Sequence, residues 1–449
     1  MFKRSILHQL SRWKDSKDRK PLVLRGARQV GKTTAINIFS KDFDQYIFLN
    51  LEKPTDADLF NRNLPVRDLF QAILLEKNLP HIQGRILLFL DEIQNSPQAI
   101  HMLRYFYEDL PHIHVVAAGS LLEIALTQKQ IGMAVGRVEY LFMYPLSFME
   151  FLEAMEEYQA LEAMKEIPVS SLASKKLFDL YHRYVLIGGM PEIVSQYQST
   201  KDIVALKPFY QSLSTSFQDD IPKYARNDTM KRIIRHCFEA APFEAGNRIK
   251  FAGFGNSNYR SRESGEALRT LSQAMIIHLM RPTTSTEIPI FPDHKKAPRL
   301  LFLDVGLINF ALGLQGHYFE HSDLHGFYRG KMAEMIVGQE LIAKDTTLNE
   351  NPVFWIREKR QAPAEVDYLI QSNQYLIPIE VKAGATGTLR SIHQFINRCP
   401  HPYAVRLYAG PLEIHHLRTP EKKPFFLLNL PYFLAGMLDK YLSWFLTQV

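Results

Sequence analysis

At 449 residues the chain is too long for a single core and suits three or four domains. Its hydrophobic share is 46%, with no apolar run near the roughly 18 residues of a spanning helix, and its basic start, Met1 to Leu7, has no apolar signal core, which argues against membrane insertion and secretion. Only Cys237 and Cys399 occur, which excludes a disulfide framework and a zinc cluster and fits a reducing cytoplasm; a net charge of +6 permits a polyanionic partner without demanding one.

Leu22-Val23-Leu24 reads as a buried strand, and it feeds Gly26-Ala27-Arg28-Gln29-Val30-Gly31-Lys32-Thr33, a G-x-x-x-x-G-K-T loop. Glycine at both ends lets the backbone turn back and aim N–H groups at phosphate oxygens. A helix-compatible stretch from Thr34 to Phe39 places a helix N-terminus behind them. Gly26 through Thr34 are therefore the expected nucleotide cradle, for ATP with Mg²⁺. Lys32 reaches the β- and γ-phosphates, and Thr33 puts its hydroxyl on the metal.

The apolar run Ile86 to Leu90 ends in Asp91-Glu92. A carboxylate at the C-terminal tip of a parallel strand faces the ligand crevice. Asp91 is the expected Mg²⁺ partner and Glu92 the group that polarises the attacking water. A third strand, Ile113 to Ala118, ends in Gly119-Ser120, where Ser120 serves as a γ-phosphate sensor, a helix cap or both. Arg137, in the loop before Tyr144-Pro145-Leu146-Ser147, is either an arginine finger, in cis or across a subunit interface of a homo-oligomer, or a surface arginine. Alternating strands and helices over residues 1–155 predict a parallel sheet.

Residues 156–225 look helical, with Phe178 to Leu186 leading into the turn Gly188-Gly189-Met190-Pro191, read first as structural and second as part of a nucleotide-responsive lid. In 226–325, Ile233, Ile234, Cys237, Phe238 and Ala241 form one apolar helical stripe, and Leu268, Leu271, Met275 and Leu279 a second. Pro282 then breaks the chain, and a short strand, Leu300 to Leu303, closes at Asp304-Val305-Gly306. Helices followed by a β-ribbon suggest a winged helix whose Arg260, Arg262 and Arg269 face a DNA backbone, solvate a polar face or contact a protein.

Residues 326–449 contain Glu365-Val366-Asp367-Tyr368 and Ile379-Glu380-Val381-Lys382, both alternating with period two. If the two strands pair as a hairpin, Asp367, Glu380 and Lys382 converge, and a helical Glu334 joins them. That is the D…E-x-K pattern of the restriction-endonuclease-like fold. Glu334, Asp367 and Glu380 would hold Mg²⁺ or Mn²⁺, with Lys382 acting on the attacking water, although such a fold also persists without cleavage.

Taken together the chain resembles the bacterial and archaeal AAA-type ATPases that pair an N-terminal P-loop domain with a C-terminal domain of unassigned function. The carrying residues are Arg25 to Thr34, Leu90 to Gln94, Ala118 to Ser120, Gly136-Arg137, Tyr144 to Phe148, Gly188 to Glu192, Phe302 to Leu307, Glu365 to Asp367 and Ile379 to Lys382. Ala27 stands where the family more often has proline. The expected fold class is α/β: a P-loop parallel sheet, a helical lid, a winged helix and a C-terminal nuclease-like domain. The resemblance implies an ATPase. Its expected work is on nucleic acid, and the alternative is an ATP-dependent switch acting on a protein or promoter.

Overall fold

The computed structural model describes residues 2–129, 132, 136–220, 225–317, 326–347, 351–357, 364–384 and 388–449. Two sheets organise these residues. The first contains β1 (Leu22–Arg25), β2 (Gln45–Asn50), β3 (Ile86–Asp91), β4 (Ile113–Gly119) and β5 (Glu139–Phe142) in the order β2-β3-β4-β1-β5, with every pair parallel. Strands β3 and β4 are buried along their whole length, which is why they read as unbroken apolar runs. Alternate residues still part to opposite faces: Leu87 and Phe89 join one core, Leu88 and Leu90 the other. The parallel register brings the C-terminal tips of β1, β3 and β4 to one edge of the sheet, with Arg25 opposite Gly119 and Leu90 opposite Ala117.

The second sheet has eight strands in the order β12-β13-β11-β10-β9-β8-β6-β7. They are β6 (Ile277–Thr283), β7 (Arg299–Phe302), β8 (Val353–Arg357), β9 (Ala364–Ser372), β10 (Tyr375–Val381), β11 (Tyr403–Tyr408), β12 (Glu413–Arg418) and β13 (Pro424–Pro431). Helices Asp228–Glu244 and Ser261–Gln273 do precede an antiparallel β6–β7 ribbon, but the ribbon is no free wing. Strand β6 pairs in parallel with β8, so the ribbon forms one end of the C-terminal sheet.

The second apolar stripe is also shorter than its spacing suggested. The helix ends at Gln273, Met275 turns the chain with a left-handed φ of 59°, and Leu279 lies on β6. Two β-branched residues, Ile276 and Ile277, favour the strand from that point. Pro282 does not break the chain either. Pairing with β7 stops at Met280, so a residue without an N–H is tolerated at 282, where only β8 is alongside.

One apolar cluster runs from Ile6 in the first helix to Phe445 in the last. It crosses the boundaries expected after 155 and 225; the boundary expected after 325 falls beside residues outside the described set. Among the described residues no helix is long and apolar enough to cross a membrane.

Candidate functional site

The phosphate loop leaves β1 and enters the helix Lys32–Phe39. Gly26 is required by contact, since a Cβ there would lie 2.3 Å from the Met143 carbonyl oxygen. Gly31 is required by conformation, with φ at +97°. The loop lines a cavity of about 570 Å³ whose wall also includes Glu92. Inside it Lys32 is buried, and its Nζ donates to the carbonyl oxygens of Gly26 at 2.9 Å and Ala27 at 2.8 Å. Burial pulls its ammonium down to about 8, against the opposing pull of Glu92 and Asp91. Thr33 Oγ1 donates to Asp91 Oδ2 at 2.8 Å, so the hydroxyl and the carboxylate expected to share a metal already meet. Burial raises Asp91, and the Thr33 hydrogen bond counters it. Glu92 has a left-handed φ of 53°, and its Oε2 accepts from Gln94 Nε2 at 2.5 Å.

The far wall of this cavity comes from the helical region. Pro191, Glu192 and Ser195, at the start of the helix Pro191–Thr200, line it. Two loop residues also reach the helix Lys207–Asp220: Arg28 pairs with Asp220, and Gln29 Nε2 donates to Ser216 at 3.2 Å. Arg4 gave no sequence signal, yet it is buried behind the loop. It donates to the carbonyls of Val30 at 2.8 Å and Tyr144 at 2.7 Å and pairs with buried Glu150 at 3.1 Å. Burial acts to raise Glu150, but the Arg4 charge and hydrogen bonds outweigh it and hold the carboxyl below its ordinary range.

Ser120 is buried at the tip of β4 but lines a different, smaller cavity, which it shares with Arg25, Gly26 and the helix end Ser272-Gln273. Arg137 pairs with Glu108 at 3.0 Å on the exposed face of the helix Pro97–Asp109 and does not line its own chain's phosphate cavity.

The motifs Tyr144-Pro145-Leu146-Ser147, Gly188-Gly189-Met190-Pro191 and Leu303-Asp304-Val305-Gly306 converge on one buried polar junction. Leu146 N–H donates to Gly189 O at 2.7 Å, and a Cβ on Gly189 would lie 2.2 Å from Leu146 O. Asp304 accepts from the N–H groups of Gly189 at 2.6 Å and Leu307 at 3.2 Å. From the helix Gly326–Ala343, Gln339 donates to Tyr184 at 3.1 Å and Glu340 Oε1 accepts from Phe148 N–H at 2.9 Å. Tyr184 has one proton but two acceptors within reach, Leu146 O at 2.7 Å and Glu340 Oε1 at 2.8 Å. A proton on Glu340 resolves that count. Burial raises Glu340 to about 7 and Asp304 to about 6.

In the C-terminal sheet β9 and β10 form the expected hairpin. Ile379 faces Tyr368, so Asp367 and Glu380 are the next pair along. Asp367 Oδ2 accepts from Val381 N–H at 2.8 Å, and Lys382 Nζ reaches Glu380 Oε1 at 2.5 Å. Glu334 arrives from the helix Gly326–Ala343, as the likeness to the nuclease-like fold implied.

The unexpected member is Arg299 on β7, with a side chain only 6% exposed. It lies 3.3 Å from Glu334 and 3.5 Å from Asp367 and also pairs with Glu365. Arg248 stands 3.7 Å from Glu365. Burial and the neighbouring Asp367 raise both Glu334 and Glu380. A guanidinium thus pairs with Glu334 and Asp367, and Lys382 with Glu380, so all three acids expected to hold a divalent ion already face a cation and the arrangement does not fit a metal there. Among the described residues no group of three or more His, Cys, Asp or Glu side chains is arranged to hold one. An arginine beside the apolar run Leu300-Leu301-Phe302 was the available signal, because a charged residue in a buried strand needs a partner.

The parallel sheet, the phosphate loop and the Asp91-Glu92 strand tip resemble those of P-loop NTPases. In agreement, residues 18–152 match the family model of an AAA domain. Two further family models, both for domains of unknown function, match residues 178–318 and 329–418. The search of curated proteins finds no match. Among solved structures the chain is similar to the Walker-type ATPase paby2304 of Pyrococcus abyssi, at 14% identity and a TM-score of 0.45, covering 70% of this chain and 96% of that one. It is also similar to the ORC2 protein of Aeropyrum pernix, at 12% identity and a TM-score of 0.32, covering 71% and 96%. The RuvB Holliday junction branch migration motor of Thermotoga maritima gives 15% identity and a TM-score of 0.26, covering 66% and 93%.

Proposed function

We propose that the chain is a cytoplasmic, Mg²⁺-dependent ATPase whose hydrolysis cycle works on nucleic acid. The observation that carries the ATPase reading is the Thr33–Asp91 hydrogen bond at 2.8 Å, beside a buried Lys32 and within the cavity that Glu92 also lines. A hydroxyl and a carboxylate oxygen in contact are hard donors suited to Mg²⁺, and Thr33 and Asp91 would hold it. When bound, the ion neutralises charge on the transferring phosphoryl group. Lys32 exchanges its carbonyl partners for β- and γ-phosphate oxygens. Glu92, oriented by Gln94, takes the proton of the attacking water. The Arg28–Asp220 pair and the wall formed by Pro191 and Glu192 carry the nucleotide state into the helical segment, which acts as the lid. Exposed Arg260, Arg262 and Arg269 present the face for a phosphate backbone. Arg137, exposed beside Glu108, is left for an adjoining subunit of a homo-oligomer.

Arg299 favours a second reading, in which the C-terminal sheet is a non-cleaving module and ATP drives a switch acting on a protein or promoter. The test is one preparation assayed for phosphate release and for Mg²⁺- or Mn²⁺-dependent strand cleavage, with and without DNA. ATP turnover accelerated by DNA supports the first reading. Turnover indifferent to DNA, with no cleavage, supports the switch. No turnover under any condition defeats both.

A further inference from the structure

Between the helix Ser261–Gln273 and the C-terminal sheet lies a cavity of about 340 Å³ that belongs to neither site above. Its walls include Arg269, Gln273, Arg281, His294 and Asn351, and among the described residues no acidic one lines it. Arg281, on β6, is half-buried, and the Arg269 charge acts with burial to lower it, so the two guanidinium groups oppose one another. Neither has an ion-pair partner among the described residues. Asp293, next to the lining residue His294, is turned to the Lys295 N–H at 2.8 Å. Asn351 Oδ1 is 2.9 Å from His278 Nδ1, which must be the donor, so the amide N–H₂ of Asn351 is its remaining hydrogen-bonding end.

Two like charges held together without a counter-charge, among further donors, are costly unless an anion joins them. We infer that Arg269, Arg281 and Asn351 form a binding site for a phosphate group, carried by a nucleic-acid backbone or by a small phosphate compound. The nucleic-acid source rests on the function proposed above; the site does not. Gln273 also lines the small cavity that holds Gly119 and Ser120, so the site abuts the strand tips of the ATPase sheet.

The test uses the full chain with Arg269→Gln, Arg281→Gln and both together, and Arg260→Gln/Arg262→Gln as the comparison outside the cavity; thermal melting establishes that each is folded. Anisotropy of a labelled DNA duplex is measured against salt concentration. Inorganic pyrophosphate binding is measured by calorimetry in a Lys32→Ala background, so that the nucleotide cavity contributes little. The expected result is a salt slope smaller by about one for each cavity arginine removed, and pyrophosphate affinity at least about tenfold weaker in the double variant. Loss of pyrophosphate binding with no duplex binding by any protein upholds the site, assigns it to a small phosphate compound and defeats the nucleic-acid reading alone. Unchanged pyrophosphate affinity and an unchanged salt slope in the double variant overturn the site. In that case a slope that falls with Arg260→Gln/Arg262→Gln leaves the nucleic-acid reading standing.

Discussion

Lys32 and Arg299 show how differently one buried cation can be served. Lys32 has only carbonyl oxygens at 2.9 and 2.8 Å, and burial pulls it down to about 8, so its site gains from an arriving anion. Arg299 has its charge met by Glu334, Glu365 and Asp367, all reached through its two terminal nitrogens. Removing Arg299 would leave Glu334, Glu365 and Asp367 close together without their shared cation, whereas the Lys32 site is completed by phosphate. Glu92 is the residue on which the ATPase reading turns. Glu92→Gln keeps an oxygen for Gln94 and loses the base. Its turnover should drop on the order of 100-fold or more, with ATP still retained, as read by phosphate release and bound-nucleotide analysis. Full turnover in that variant would remove Glu92 from the mechanism.

At the scale of elements, short motifs separated by long stretches of chain meet because the turn at Gly188-Gly189 and the helix Gly326–Ala343 deliver them to one place. Glu340 ties the helix Gly326–Ala343 to Phe148 beside the parallel sheet and to Tyr184 of the helical region. Burial lifts it from 4.5 to about 7, so the folded state keeps a proton that the unfolded chain gives up earlier. Its stabilising contribution is complete below about 4.5 and is lost as pH rises through about 7. Wild-type stability should therefore fall from pH 5 to pH 8. Glu340→Gln should flatten that fall by roughly 3 kcal/mol, seen as a smaller change in Tm across the range. An identical fall in both proteins would mean that Glu340 does not hold its proton in the folded state.

Across the whole molecule the largest of three buried apolar clusters runs from Ile6 to Phe445, and β5 joins the C-terminal region directly through Phe142 N–H to Thr346 O at 2.6 Å. Shared core surface couples the unfolding of its parts. Calorimetry should show one main transition, not separate melting of an N-terminal and a C-terminal part. ATP with Mg²⁺ should move the whole of it upward, by about 2.7 kcal/mol of stability at a hundredfold excess over Kd. An N-terminal transition that shifts with ATP while a second stays in place would show that the parts unfold independently.

The nucleotide cradle was legible in the chain because its chemistry is local. The glycines, Lys32 and Thr33 lie in one loop, and β3 and β4 announce themselves as fully apolar strands ending in polar tips. The β9–β10 hairpin was legible for a similar reason: period-two alternation fixes which side chains share a face, and so pairs Asp367 with Glu380. Arg299, Arg4, Arg28–Asp220 and the Glu340 junction depend on partners more than thirty residues away, and no spacing rule reaches that far. The fate of the β6–β7 ribbon was likewise outside the sequence pattern. Its residues favour a strand whether it stands as a wing or extends a sheet, and only the arrival of β8 beside β6 decides between them. Local propensity and periodicity set what each segment is; which segments meet, and so which charges are left for a ligand, is set by burial across the whole chain.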